Sequence, residues 1–196
     1  GQRRALESRA RFVAMISGTQ GGKTSISPIW LHNEIQACGP GDYLAVTASF
    51  PLLKLKLGPE LVRFFSTTLR IADWRASDRI LQFRHDETRI ICGSATNPES
   101  LESATAKGAL CDEAGQDQFR LESWEAIQRR LALHRGRALL PTTPYNLGWL
   151  KQQLYDRWRA GDGDYEVIQF ESTQNPAFPV SEYERVKETL PAWKFN

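Results

Sequence analysis

One short stretch carries the residue types and spacing for phosphate chemistry: Ser17-Gly18-Thr19-Gln20-Gly21-Gly22-Lys23-Thr24. It follows an apolar run, Phe12 to Ile16, and opens a helical pattern. A strand, a glycine-rich loop and Lys-Thr at a helix start make a P-loop. Glycines let successive backbone N–H groups curl around a phosphate without Cβ clashes. The helix N-terminus behind them adds about half an elementary positive charge. Lys23 is expected to reach the β- and γ-phosphates, and Thr24 to offer its hydroxyl to Mg²⁺. ATP and Mg²⁺ are therefore the expected ligands. Ser17 stands where the pattern ordinarily begins with glycine. The competing reading is a plain strand-to-helix turn with Lys23 in solvent.

A second constellation is Asp112-Glu113, at the end of the short apolar run Ala109-Leu110-Cys111. An acidic residue at a strand's carboxyl end can hold Mg²⁺, and a second carboxylate beside it can orient and deprotonate an attacking water. Asp112 is assigned to the metal and Glu113 to catalysis. The pair favours hydrolysis over phosphoryl transfer to a second substrate. Thr142-Thr143 closes the next strand pattern, at the edge where open parallel sheets bind ligands. A hydroxyl there could sense the γ-phosphate and relay its loss; alternatively it caps the following helix.

The elements that must position these residues alternate. Strand patterns occur at Arg11–Ile16, Tyr43–Thr47, Arg79–Phe83, Arg89–Cys92, Ala109–Cys111, Arg137–Leu140 and Tyr165–Phe170. Helical patterns cover about Gly22–Ala37, Phe50–Phe65, Glu122–Leu133, Leu147–Ala160 and Ser181–Leu190. Pro28 predicts a kink in the first of these, and Gly58-Pro59 predicts a split in the second. His85-Asp86-Glu87 makes the fourth and third strand patterns a hairpin. The alternation predicts an α/β fold with a mostly parallel, three-layer sheet and one inserted β-hairpin. No internal boundary is visible, so residues 1–196 are read as a single domain.

Composition narrows the class. The chain has 196 residues and a net charge of +2, so any nucleic-acid contact must come from local basic patches. Candidates are Arg3, Arg4, Arg9 and Arg11; Lys54 and Lys56; Arg129, Arg130, Arg135 and Arg137; and Arg157 and Arg159. Each taken alone also reads as an ordinary solvated face. Cys38, Cys92 and Cys111 are widely spaced, with no C-x-x-C pair, which fits a reducing compartment. No apolar run approaches the ~18 residues that would span a membrane.

The order of motifs resembles the ATPase domain of the large terminase subunit of tailed bacteriophages, a DNA-packaging motor. The resemblance rests on Arg11-Phe12 leading into Ser17–Thr24, Thr47-Ala48-Ser49, and the hairpin leading to Cys92-Gly93-Ser94-Ala95. It extends over Asn97-Pro98-Glu99-Ser100-Leu101, Leu110–Ala114, Thr142-Thr143-Pro144 with Gly148-Trp149, and Ser172-Thr173-Gln174-Asn175-Pro176. It implies a RecA-like P-loop NTPase core with Lys23 and Thr24 on phosphate and Mg²⁺, Asp112 positioning Mg²⁺, Glu113 activating water and Thr142-Thr143 coupling hydrolysis to movement. The implied partners are double-stranded DNA, a portal protein and a small terminase subunit. The implied setting is a homo-oligomeric ring in the cytoplasm of an infected bacterium, with the isolated domain a monomer and a nuclease domain expected beyond residue 196. Relatives often place an arginine at the position of Thr19, and Arg-Gly where Glu102-Ser103 stands, so no arginine finger is identified; Arg129, Arg130, Arg135 and Arg137 lie in a suitable part of the chain for a role between subunits. Gln2 to Arg11 are candidates for an adenine pocket. Two other readings stay open: another RecA-like nucleic-acid-dependent ATPase such as a helicase core, and a low-turnover nucleotide switch.

Overall fold

The computed structural model describes residues 1–18, 21–97, 105–144 and 148–175, with Pro179, Ser181, Arg185 and Glu188. Thr19, Gln20, the 98–104 segment, Leu147, Pro176 and most of the expected last helix lie outside the described residues.

Eight strands form one sheet: β1 (Phe12–Ser17), β2 (Asp42–Thr47), β3 (Ala72–Arg75), β4 (Ile80–Phe83), β5 (Arg89–Ser94), β6 (Gly108–Asp112), β7 (Arg137–Thr142) and β8 (Tyr165–Phe170). Their spatial order is β3-β4-β5-β2-β6-β7-β1-β8. From β5 to β8 every neighbouring pair is parallel. β3 and β4 are antiparallel, each to its neighbour, at one edge. The expected hairpin is β4–β5, and it feeds β5 into the parallel sheet beside β2. β3 was not expected: its four residues alternate Ala72, Asp73, Trp74, Arg75 and bury only Ala72, too little apolar sequence to mark a strand.

Both faces of the sheet are buried, because successive strand side chains point to opposite sides. Val13, Met15, Tyr43, Ala45, Leu110 and Leu139 join one apolar cluster with Trp30, Leu31, Leu57, Leu61 and Phe65. Phe12, Ala14, Ile16, Leu44, Cys111 and Leu140 join the other with Trp124, Ile127, Leu131, Leu150 and Leu154. The result is the expected three-layer α/β arrangement. The first helical layer holds α1 (Gln2–Glu7), α2 (Lys23–Cys38) and α3, a continuous helical run over residues 50–68. The second holds α4 (Leu121–Ala132) and α5, a run over residues 148–159.

α2 runs through Pro28 for 16 residues. Pro28 lacks only the N–H that would meet the carbonyl of Thr24, and the turn before it gains a bond from Ser27 Oγ to the Lys23 carbonyl at 2.9 Å. Gly58-Pro59 does not split α3. The helix widens into a π turn over Leu53–Leu57, and the Gly58 N–H donates to the Leu53 carbonyl five residues back. A second π stretch covers Val62–Thr68. Widened turns of this kind absorb an imperfect helical sequence and frequently sit at functional sites.

Candidate active site

The P-loop leaves the carboxyl end of β1, Asp112 ends β6, and Thr142 ends β7 between them. Register places Ile16 beside Thr142 and Thr47 beside Asp112. All these residues therefore share one sheet edge, although Lys23 and Asp112 lie far apart in sequence. β7 separates β1 from β6, so the loop and the acidic pair face each other across one strand width on either side.

Lys23 is not in solvent. It is 6 % exposed, and its Nζ donates to the carbonyls of Ser17 and Gly18, both at 2.7 Å. Burial lowers its ammonium below the ordinary lysine value, while the fields of Glu113 and Asp112 oppose that shift. Gly22 has φ +76°, a left-handed conformation that glycine adopts without strain, and serves as the cap of α2. A Cβ on Gly21 would stand 2.0 Å from Ser17 Oγ. Ser17 is buried at the end of β1, so its side chain fills the loop where only a glycine at 21 leaves room. Thr24 is half-buried at the second position of α2. Gly18 and Gly22 are approached by segments outside the loop: a Cβ would meet Ser172 Oγ at 2.6 Å from Gly18 and Gln2 Nε2 at 2.1 Å from Gly22. Gln2 Nε2 donates to the carbonyls of Gly21 and Gly22, each at 3.2 Å. The helix α1 that carries it gave no sequence signal, since six residues with one buried side chain, Ala5, show no period. A cavity of about 200 Å³ beside the loop is lined by Gln2, Arg3, Gly21, Phe170, Gln174 and Asn175.

Asp112 and Glu113 are 2 % and 7 % exposed. Asp112 Oδ2 and Glu113 Oε2 are buried with no hydrogen-bond partner among the described residues. Burial, and then the charge of Glu113, push the Asp112 carboxyl up to about 7, against Lys56 and Lys23. Two buried carboxylates with orphaned oxygens are short of positive charge, which is what a hard, oxygen-seeking cation supplies. The donor set, Asp112 with the Thr24 hydroxyl, fits Mg²⁺ completed by phosphate and water oxygens; no cluster of three or more acidic, His or Cys groups competes for it among the described residues.

Glu113 itself lies in the left-handed region, φ +55°. For a non-glycine residue this costs about 1–2 kcal/mol, so the surroundings must hold it. They do so from β7. The Glu113 N–H donates to the Pro141 carbonyl at 2.8 Å, and the Gly115 N–H donates to Thr142 Oγ1 at 2.8 Å. Thr142 Oγ1 in turn donates to the Thr143 carbonyl at 3.1 Å. The Thr142 hydroxyl is thus engaged with the loop after Glu113. Thr143 is 8 % exposed beside it.

Arg137, one of the four arginines considered for a role between subunits, is committed within its own chain. Its guanidinium donates to the carbonyls of Ser8 at 2.6 Å and Ala10 at 3.0 Å, pairs with Glu34 and lies over the Trp30 ring. Trp149 anchors α5 by donating from Nε1 to the Phe119 carbonyl at 2.6 Å and by stacking on Trp124.

A glycine-rich loop and an acidic pair at the ends of two strands, with one parallel strand between them, fit a RecA-like fold. No protein-family model and no curated protein matches the chain. Solved structures do match in fold. The ATPase domain of the Thermus phage P74-26 large terminase superposes with a TM-score of 0.73 at 17% identity, over 99% of this chain and 89% of that one. The large terminase of a second, thermophilic bacteriophage, in complex with ATP-gamma-S, gives 0.77 at 12% identity, over 97% of this chain and 49% of that one. The Phi-28 gp11 DNA packaging motor gives 0.55 at 13% identity, over 96% and 64%. The chain therefore has the fold of terminase ATPase domains and spans about half the length of the terminase solved with ATP-gamma-S.

Proposed function

We propose that this chain is the ATPase domain of a phage large terminase, hydrolysing ATP to drive double-stranded DNA into a procapsid. The observation that carries the proposal is the meeting of buried Lys23 with buried Asp112-Glu113 across β7, whose Thr142 hydroxyl holds the loop behind Glu113. In this reading the Ser17–Thr24 loop wraps the phosphates, and Lys23 exchanges its two carbonyl partners for phosphate oxygens. The purine enters the cavity beside Gln2 and Phe170. Thr24 and Asp112 would hold Mg²⁺, which would supply positive charge to the phosphate oxygens. Glu113 orients a water for in-line attack and takes its proton. Thr142, bonded to the segment that follows Glu113, transmits the change to β7 when phosphate leaves.

The same reading assigns a ring of subunits on a portal protein, a small terminase subunit as partner, and the cytoplasm of an infected bacterium as the setting. DNA contacts should be directed at the backbone and sensitive to salt, because packaging accepts any sequence. The test is nucleotide binding and hydrolysis by Lys23→Ala and Glu113→Gln chains. Lys23→Ala should lose binding, and Glu113→Gln should keep binding and lose turnover by ~10²-fold or more, the scale of removing a positioned general base. Unchanged hydrolysis in Glu113→Gln would leave a nucleotide switch as the better account.

A further inference from the structure

The catalytic edge holds a second cation that the P-loop does not provide. Within Ser17–Thr24 the single basic residue is Lys23, and Lys23 is bound to the loop's own carbonyls. Lys56 enters from another element. It belongs to the π turn Leu53–Leu57 of α3, whose Leu53 and Leu57 are anchored in the core. Its side chain is 53% exposed, yet its Nζ stands 4.0 Å from Oε1 of Glu113, whose side chain is 9% exposed. A long stem in solvent therefore delivers an ammonium group to a buried carboxylate.

The local chain is built to aim it there. At the end of β2, Thr47 Oγ1 donates to the Ser49 carbonyl at 2.8 Å, which also accepts from the Leu53 N–H at 3.1 Å. Thr47 lies in register with Asp112. The start of α3 is thus fixed to the end of β2, the strand beside the one that carries Asp112. The π turn then widens the helix, changing the direction in which Lys56 leaves it. The field of Lys56 acts on Asp112 and on Lys23 as well as on Glu113, which places its charge among all three.

We infer that Lys56 is a catalytic residue: an ammonium supplied by the same chain that pairs with Glu113 and turns to the terminal phosphate of bound ATP. The inference rests on the hydrolase reading above. A general base must touch the attacking water, and that water must stand beside the γ-phosphate. A cation 4.0 Å from the base on a flexible stem is then one side-chain rotation from the phosphate's oxygens, where negative charge is stabilised during transfer. Because ADP lacks that phosphate, Lys56 should distinguish the two nucleotides.

The experiment compares equilibrium binding of ATPγS and ADP, with Mg²⁺, to the wild-type chain and to Lys56→Ala, Lys56→Met, Lys56→Arg and Lys54→Ala, alongside ATP turnover. Lys56→Ala and Lys56→Met should bind ADP within about 2-fold of wild type, bind ATPγS ~10-fold more weakly, and lose ~10²-fold in turnover, the scale of removing one charge-stabilising donor. Lys56→Arg should restore most of the selectivity, and Lys54→Ala should change nothing. Equal weakening of both nucleotides in Lys56→Met, which keeps the stem, would overturn the assignment in favour of a structural role. So would unchanged selectivity and turnover. A wild-type chain that binds neither nucleotide would instead overturn the hydrolase reading, and this inference with it.

Discussion

Thr142→Val is the sharpest probe of how hydrolysis is tied to the sheet. The substitution keeps the branched shape and deletes one hydroxyl. That hydroxyl accepts the Gly115 N–H at 2.8 Å, in a place where Thr142 is 1 % exposed and Gly115 is buried. Leaving a buried N–H without a partner costs about 1–3 kcal/mol. Part of this returns, because a released loop lets Glu113 relax from φ +55°, a conformation that itself costs about 1–2 kcal/mol. The net loss of stability is then about 0–2 kcal/mol, and at about 2–4 °C per kcal/mol for a chain of this size the midpoint should fall by less than about 8 °C. Turnover should respond more strongly, since a displacement of about 1 Å at a reacting group can cost ~10²-fold. ADP affinity should stay within about 2-fold, because the Lys23 contacts lie on the other strand. Thr142→Ser keeps the acceptor and should recover most of the turnover. The assays are thermal unfolding, steady-state hydrolysis and ADP titration on the same preparations. If Thr142→Val turned over ATP at the wild-type rate, the argument that Thr142 holds Glu113 in place would be wrong.

Further predictions concern the loop and its supports. Gly22→Ala forces a side chain into φ +76° and against Gln2 Nε2, so it should cost about 1–2 kcal/mol in urea unfolding and weaken ADP binding measurably. Arg137→Ala leaves Glu34, 4 % exposed, without its half-buried partner and should destabilise by about 3 kcal/mol, whereas Glu34→Gln with Arg137 intact should cost less; chemical denaturation separates the two. His32 packs against Phe64 and Phe65, and burial lowers its pKa below the ordinary 6.5. A depressed folded pKa favours the neutral ring. Its contribution to stability is therefore present above about pH 6.5 and declines as pH falls through and below that value. A His32→Gln chain should lose less stability than wild type between about pH 7 and pH 5, as read by the urea midpoint at each pH.

The placement of the candidate site was legible in sequence wherever residue type and spacing suffice. The strand before Ser17, the glycines, Lys23 and the acidic pair after Cys111 could each be placed, because a phosphate loop and a strand-end carboxylate have local signatures. What sequence could not carry was the company those residues keep. Lys56 read as one member of a surface basic pair, since only the folded chain brings a π turn of α3 over Glu113. Gln2 carried no sequence sign of the contact its amide makes with the Gly21 and Gly22 carbonyls once α1 is in place. Gly58-Pro59 looked like a helix break because proline rules assume a regular α turn, and the five-back bond from Gly58 removes that premise. Arg137 looked available to a neighbour, and its internal partners became visible only with the packing of α1, α2 and β7.

That last cluster has a mechanical meaning. Arg137 stands at the start of β7 and grips Glu34 near the far end of α2, along with the segment after α1. The near end of α2 is Lys23, and the near end of β7 is Thr142. The phosphate loop and the threonine strand are therefore two arms riveted at a common far joint, about 16 Å back along the helix from Lys23. A shift of about 1 Å at the loop swings such an arm by only about 4°, so the two near ends travel together. The π turn that carries Lys56 lies outside the rivet, whereas the loop after Glu113 is tied to β7 through Pro141 and Thr142. On the proposed reading, a nucleotide-driven movement would begin as a gap opening between that turn and the rivet, at the contact of Lys56 with Glu113.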